Sequence, residues 1–147
     1  MAIDRLHIST FSSTLASQQK NSHLTLEQFD QWLERYFEAW QLNDPAGVMA
    51  LFAEDAIYHY GPFVTPMVGR RAIAERWVSD PGQQQDIQTS YKPLAINDDL
   101  GIAHWRATFR RGDRPVVVEA DGILVIKFDR QGQCTEHQEW FSLREVP

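Results

Sequence analysis

Cys134 is the only cysteine, which leaves no intramolecular disulfide and no cysteine-rich metal site and points to a reducing compartment. The five histidines are scattered, with no His-x-His or His-Glu-x-x-His spacing, so no metal ligand set is expected. A glycine-rich phosphate loop is missing, and no serine or cysteine sits in a strand-turn-helix elbow, which argues against nucleotide chemistry and nucleophilic acyl transfer. Basic runs stop at the pairs Arg70-Arg71 and Arg110-Arg111. With a formal charge of -6, nucleic acid is not an expected partner. No apolar run approaches the roughly 20 residues of a membrane span, and no signal-type segment opens the chain. No membrane association and a cytoplasmic location are therefore expected.

What is present suits one domain with a sizeable core: 147 residues, 43% hydrophobic, with five tryptophans. Residues 1–24 form the exception. The stretch "STFSSTLASQQKNSH" is polar and lacks helical periodicity, so a flexible or loosely docked arm is expected ahead of a domain at 25–147.

Helix signals open that domain. Thr25 and Gln28 have capping-box spacing, and Leu26, Phe29, Trp32, Leu33, Tyr36, Phe37 and Trp40 then recur on one face. Asp44 can cap a second helix that carries Pro45 at its first position and runs through Phe52. "GRRAIAERWVSD" reads as a third helix, closed by Pro81-Gly82. Strand texture follows over Gln85–Ile96, Ile102–Arg111, Pro115–Phe128 and Gln133–Arg144. The turns fall at Asn97-Asp98-Asp99, Gly112-Asp113 and Asp129–Gly132. Helices followed by an antiparallel meander predict an α+β fold, a cone-shaped curved sheet covered by three N-terminal helices around a pocket.

The crowded rings Tyr58, His59 and Tyr60 stand before a Gly-Pro corner. In a strand, Tyr58 and Tyr60 share one face and His59 takes the other. Two phenol hydroxyls entering an interior need hydrogen-bond partners or a cavity.

These elements resemble the nuclear transport factor 2-like superfamily in its SnoaL-like branch, with ketosteroid isomerases, limonene epoxide hydrolases and polyketide cyclases. The resemblance rests on "RYFEAWQLNDPAGVMALFAEDAIYH", on P-x-x-G-R-x-A-I from Pro66 to Ile73, and on F-D-x-x-G and E-W-F between Phe128 and Phe141. It covers about residues 26–144 and implies a small-molecule pocket, while this fold carries many functions. Tyr36 matches the isomerase tyrosine that donates to substrate. The isomerase base falls near Tyr60 or Gly61 and its second acid near Leu124, so steroid isomerisation is not expected. Arg106 matches the central arginine of the epoxide hydrolases, but their two carboxylates fall on Thr108 and Ser142.

The expected reactive groups are therefore Tyr36, Arg106 and Asp121. Tyr58, Tyr60, Trp40, Trp77, His104 and Trp140 are the expected substrate contacts. The facing of "IAHWRATFR" has two readings. Hydrophobic alternation turns Trp105, Ala107 and Phe109 inward, whereas the hydrolase match turns His104, Arg106 and Thr108 inward. The second reading is the one that places Arg106 in the pocket. Asp121 can pair with Arg106, act as an acid or base, or stand exposed. His137 and Glu139 share a strand face of the alternating kind that commonly forms a solvated or dimer-forming surface. The expectation is an enzyme doing acid/base chemistry (isomerase, cyclase, dehydratase or hydrolase) on a small apolar molecule, without a cofactor. The alternative is a non-catalytic binding or dimerising module. A surplus of apolar strand residues predicts a homodimer through the outer sheet face.

Overall fold

A computed structural model of the chain describes residues 24–79, 84–112, 114 and 116–147. The expected arm up to His23, the Pro81-Gly82 stop, Asp113 of one expected turn and Pro115 at one strand start lie outside the described residues. Helix α1 (Leu26–Leu42) begins at the expected capping box. The Thr25 hydroxyl accepts from the Gln28 amide, and the Gln28 side chain accepts from the Thr25 amide. Asn43 ends the helix in the left-handed conformation, φ 50°. Helix α2 (Pro45–Leu51) starts on the Asp44 cap, and Phe52, expected in that helix, instead opens strand β1 (Phe52–His59). A two-residue strand β2 (Met67–Val68) and helix α3 (Arg70–Ser79) follow. The long strands are β3 (Gln84–Asn97), β4 (Leu100–Arg111), β5 (Val117–Phe128) and β6 (Cys134–Val146).

The curved, unclosed sheet has the order β2-β1-β6-β5-β4-β3. β3 to β6 form the expected meander. The short β2 was not foreseen, and β1 lies parallel to β6 with Tyr58 beside His137. That parallel pair follows from chain path, since the whole meander separates its two strands. One face of the sheet is closed by helices. Phe29, Trp32, Leu33, Tyr36 and Phe37 of α1 are all buried, and the Trp32 indole donates to the Leu51 carbonyl, tying α1 to α2.

Small residues shape the interior. Gly101 gives way to Phe29, whose ring atoms lie 2.7–2.8 Å from where a Cβ would stand. Phe29, Trp32 and Phe128 fill that end with edge-on ring contacts. Toward the other end β4 and β5 turn Ala107, Ala120 and Gly122 inward, and packing becomes incomplete.

Two features of register decide what enters the interior. In β4 the hydrophobic alternation holds: Ala103, Trp105, Ala107 and Phe109 are buried. The expected inward facing of His104, Arg106 and Thr108 is thus corrected, because burying three polar groups would have displaced two large rings to solvent. In β6, Cys134 opposes Phe128 while Glu136 opposes Lys127, which leaves Thr135 as a bulge residue. Beyond it the parity has shifted by one, and His137 and Glu139 turn inward. The expected surface setting of these two residues is corrected accordingly.

Gly122→Ala is expected to lower stability by about 1–3 kcal/mol, seen as a fall of several degrees in the thermal midpoint. A Cβ there would lie 2.6 Å from the Trp140 carbonyl oxygen and 2.9 Å from the Trp105 indole nitrogen, and the first of these is backbone that cannot swing aside. An unchanged midpoint would contradict the packing described.

Candidate active site

The incompletely packed end holds a cavity of about 320 Å³, within the usual size range of small-molecule sites. Apolar rings supply most of its wall: Phe37 and Trp40 from α1, Trp77 from α3, Trp105 and Phe109 from β4, and Phe141 from β6. Trp40 is fixed by its indole N–H, which donates to the Gln84 side chain at 2.9 Å. Gly122 makes room for Trp105, whose indole nitrogen lies 2.9 Å from where a Cβ would stand.

Polar chemistry gathers at the buried end. Tyr36, Tyr58 and Glu139 all line the cavity, and their side chains are almost wholly buried. The Tyr58 hydroxyl donates to Glu139 Oε1 at 2.9 Å and lies 2.9 Å from the Tyr36 hydroxyl. Because Tyr58 has one proton and gives it to Glu139, Tyr36 must donate to Tyr58. The three groups form a single directed chain. Tyr60, just past the end of β1, packs at 5.1 Å from the Tyr58 ring and also faces the cavity.

Glu139 is the one carboxyl among the described residues that line this cavity. Burial pushes it up to about 8, against a smaller opposing effect of the Tyr58 hydrogen bond. It is therefore mostly protonated at neutral pH and poised to exchange a proton near it. Burial also raises both phenols well above the ordinary tyrosine value, and the nearby Glu139 charge adds to this. Both remain donors through the accessible pH range.

His137 lies behind this chain. Its ring stacks on Tyr58 with centroids 4.0 Å apart and planes 6° from parallel. The residue is fully buried, and neither ring nitrogen has a hydrogen-bond partner among the described residues. Burial drives it down to about 3, so the imidazole is neutral.

The expected site residues separate into two groups. Tyr36, Trp40, Tyr58, Tyr60 and Trp77 line the cavity. Arg106, Asp121, His104 and Trp140 lie on the opposite face of the sheet, away from it. There Asp121 accepts from His104 at 2.7 Å and from Arg106 at 2.8 Å, and these contacts, His104 first, hold its carboxyl below the usual range. Arg106 and Asp121 are direct cross-strand neighbours, so of the roles open to Asp121 it takes pairing on an exposed surface. Thr108 and Ser142 also face this outer groove. Sequence reasoning missed Glu139, His137 and Phe141 as site residues, and it had Trp105 and Phe109 facing inward only in the reading set against the hydrolase match. The available signal was parity: once Phe141 is taken as inward, Glu139 and His137 follow on the same side.

A curved sheet covered by the three described helices, with a buried polar chain in an aromatic cavity, is the cone-shaped α+β architecture. A family model described as a SnoaL-like domain matches residues 33–137, and the chain belongs to that family within the nuclear transport factor 2-like superfamily. No curated protein matches the chain. The family match ends at His137, two positions before Glu139, so the carboxyl is a feature of this chain read from its own structure.

The two buried titratable groups predict a stability profile. Glu139 ordinarily ionises at 4.5 and does so at about 8 in the fold, so the folded state holds the extra proton and stability falls as pH rises from 4.5 to 8. His137 ordinarily ionises at 6.5 and does so at about 3 in the fold, so stability falls as pH drops from 6.5 to 3. The maximum is expected between pH 4.5 and 6.5, with each arm on the order of a few kcal/mol. Glu139→Gln should flatten the alkaline arm and His137→Phe the acid arm in urea titrations across pH. Parallel profiles for wild type and both variants would refute the assignment.

Proposed function

We propose that this chain is a cofactor-independent enzyme that moves a proton on a small, largely apolar, oxygen-bearing molecule. The observation that carries the reading is the Tyr36–Tyr58–Glu139 chain at the buried end of an aromatic cavity. Its direction can reverse. With Glu139 ionised, the hydrogen bonds run toward the carboxylate; once Glu139 has taken a proton, it donates to Tyr58, Tyr58 to Tyr36, and Tyr36 to a ligand oxygen. Capture of the substrate proton at Glu139 thereby creates a donor at Tyr36, which meets the ligand oxygen onto which the negative charge has moved. That coupling suits enolisation, in which a carbon beside a carbonyl loses a proton while the carbonyl oxygen gains hydrogen-bond support. Isomerisation, aldol-type cyclisation and dehydration all begin with such a step. Glu139 also answers the missing second acid of the isomerases: it stands directly across from Leu124 on the neighbouring strand.

A purely dimerising module would need no open cavity of about 320 Å³, and a buried carboxyl that titrates near neutral pH at its wall favours chemistry over binding alone.

The outer sheet face supports a second proposal, a homodimer. Ile102, Ile123, Val125 and Trp140 cluster there by register, and Trp140 is 46% exposed. Around this apolar centre lie the ion pairs Arg106–Asp121 and Arg144–Glu119, a polar rim of the sort that a two-fold interface shows.

Two measurements test these readings. Hydrogen–deuterium exchange at the carbon beside the carbonyl of cyclic ketones, followed by nuclear magnetic resonance, should be accelerated by wild type and slowed about a hundredfold or more in Glu139→Gln. Exchange that is equal in both proteins would sink the catalytic proposal. Light scattering at micromolar concentration should give twice the chain mass for wild type and the monomer mass for Trp140→Glu, and a monomeric wild type would remove the dimer.

A further inference from the structure

The cavity is chemically different at its two ends. Its buried end offers Glu139, held neutral at ordinary pH by burial, and the two tyrosines. Its exposed rim carries Arg76 from α3 and Arg111 at the end of β4. Among the described residues that line the cavity these two are the only fully charged side chains at neutral pH.

Both guanidinium groups lie over aromatic rings of the wall. Arg76 stands 5.5 Å from the Tyr60 ring centroid and Arg111 5.7 Å from that of Phe109. A guanidinium held over a ring by cation–π attraction still has N–H groups to offer a carboxylate and loses less side-chain freedom when an anion arrives. Tyr60 and Phe109 are themselves cavity residues, so both cations are carried by the wall that a ligand would touch.

We infer that the ligand of this cavity is an amphipathic acid, with a flat apolar body among the rings, a carboxylate held at the rim by Arg76 and Arg111, and a neutral oxygen against Tyr36, Tyr58 and Glu139. The oxygen at the buried end rests on the proposed function; the carboxylate at the rim is independent of it. A body of two fused rings suits a cavity of about 320 Å³. The rim charges would also orient the molecule, since an acid entering carboxylate-first would bring its charge into the apolar interior, where desolvation opposes it.

The matched probes 6-hydroxy-2-naphthoic acid and 6-hydroxy-2-naphthamide differ in charge and hardly in shape. Quenching of tryptophan fluorescence reads their binding, because Trp40, Trp77 and Trp105 form the wall. At pH 7 and low salt the acid should bind about tenfold more tightly than the amide, and high salt should shrink the difference. The double variant Arg76→Gln/Arg111→Gln should lower acid affinity about tenfold more than amide affinity and so abolish the preference, and circular dichroism checks its fold. Equal binding of the two probes to wild type, or a preference that survives in a folded double variant, overturns the carboxylate assignment. Tyr36→Phe separates the two readings in the same titrations. If it weakens amide binding while the acid shows no advantage, the rim inference falls and the buried end stands. If the acid preference holds and Tyr36→Phe changes nothing, the rim stands and the buried end falls. Failure of both probes to bind at millimolar concentration overturns both.

Discussion

The hydrogen bond from Tyr58 to Glu139 joins two residues that are 81 positions apart in sequence. It links β1 to β6, the parallel pair that brings the helical half of the chain against the last strand of the meander. Tyr58 stacks on His137 and donates to Glu139, so one phenol is fixed from its face and from its oxygen. A phenol buried without an acceptor would cost about 1–3 kcal/mol, and a buried carboxyl without a donor more. Each group therefore makes the other tolerable. Tyr36 adds a third oxygen and carries the chain onto α1, where Trp32 stacks on its ring at 5.1 Å.

The cavity follows from the same sheet. Glycine and alanine on the inner faces of β4 and β5 lower the floor, while tryptophan and phenylalanine side chains stand around it. Filling the floor with larger aliphatic side chains would give a better-packed core and no pocket. Burial energy is thus lost where a ligand would restore it. The buried carboxyl and the unpartnered His137 are further sacrifices of stability at the same end of the molecule, and such costs tend to concentrate at functional sites.

Much of the fold was legible because it depends on local chemistry. The capping box at Thr25, the Asp44-Pro45 helix start and the four long strands each follow from side-chain spacing within a few residues. The phenols were legible as a pair, since period two in a strand puts Tyr58 and Tyr60 on one side. Arg106 and His104 were placed inward because similarity along the chain carried the facing of another family's strand onto this one, and Asp121 followed as the partner of Arg106. Here Trp105 and Phe109 compete for the inner face, and burying their rings outweighs burying a guanidinium that would need a partner there.

Sequence by itself determined the α+β class, the helix starts, the order of the four long strands and the tyrosines as pocket candidates, because nearest neighbours and alternation decide those features. Tertiary structure alone decided that Glu139 reaches the cavity. One bulge at Thr135 shifts the parity of β6, and a shift of one residue sends every later side chain to the other face. Sequence places His137 and Glu139 on one side of a strand; only the register with β5, and the rings of α1 and β1 packed above, make that side the interior.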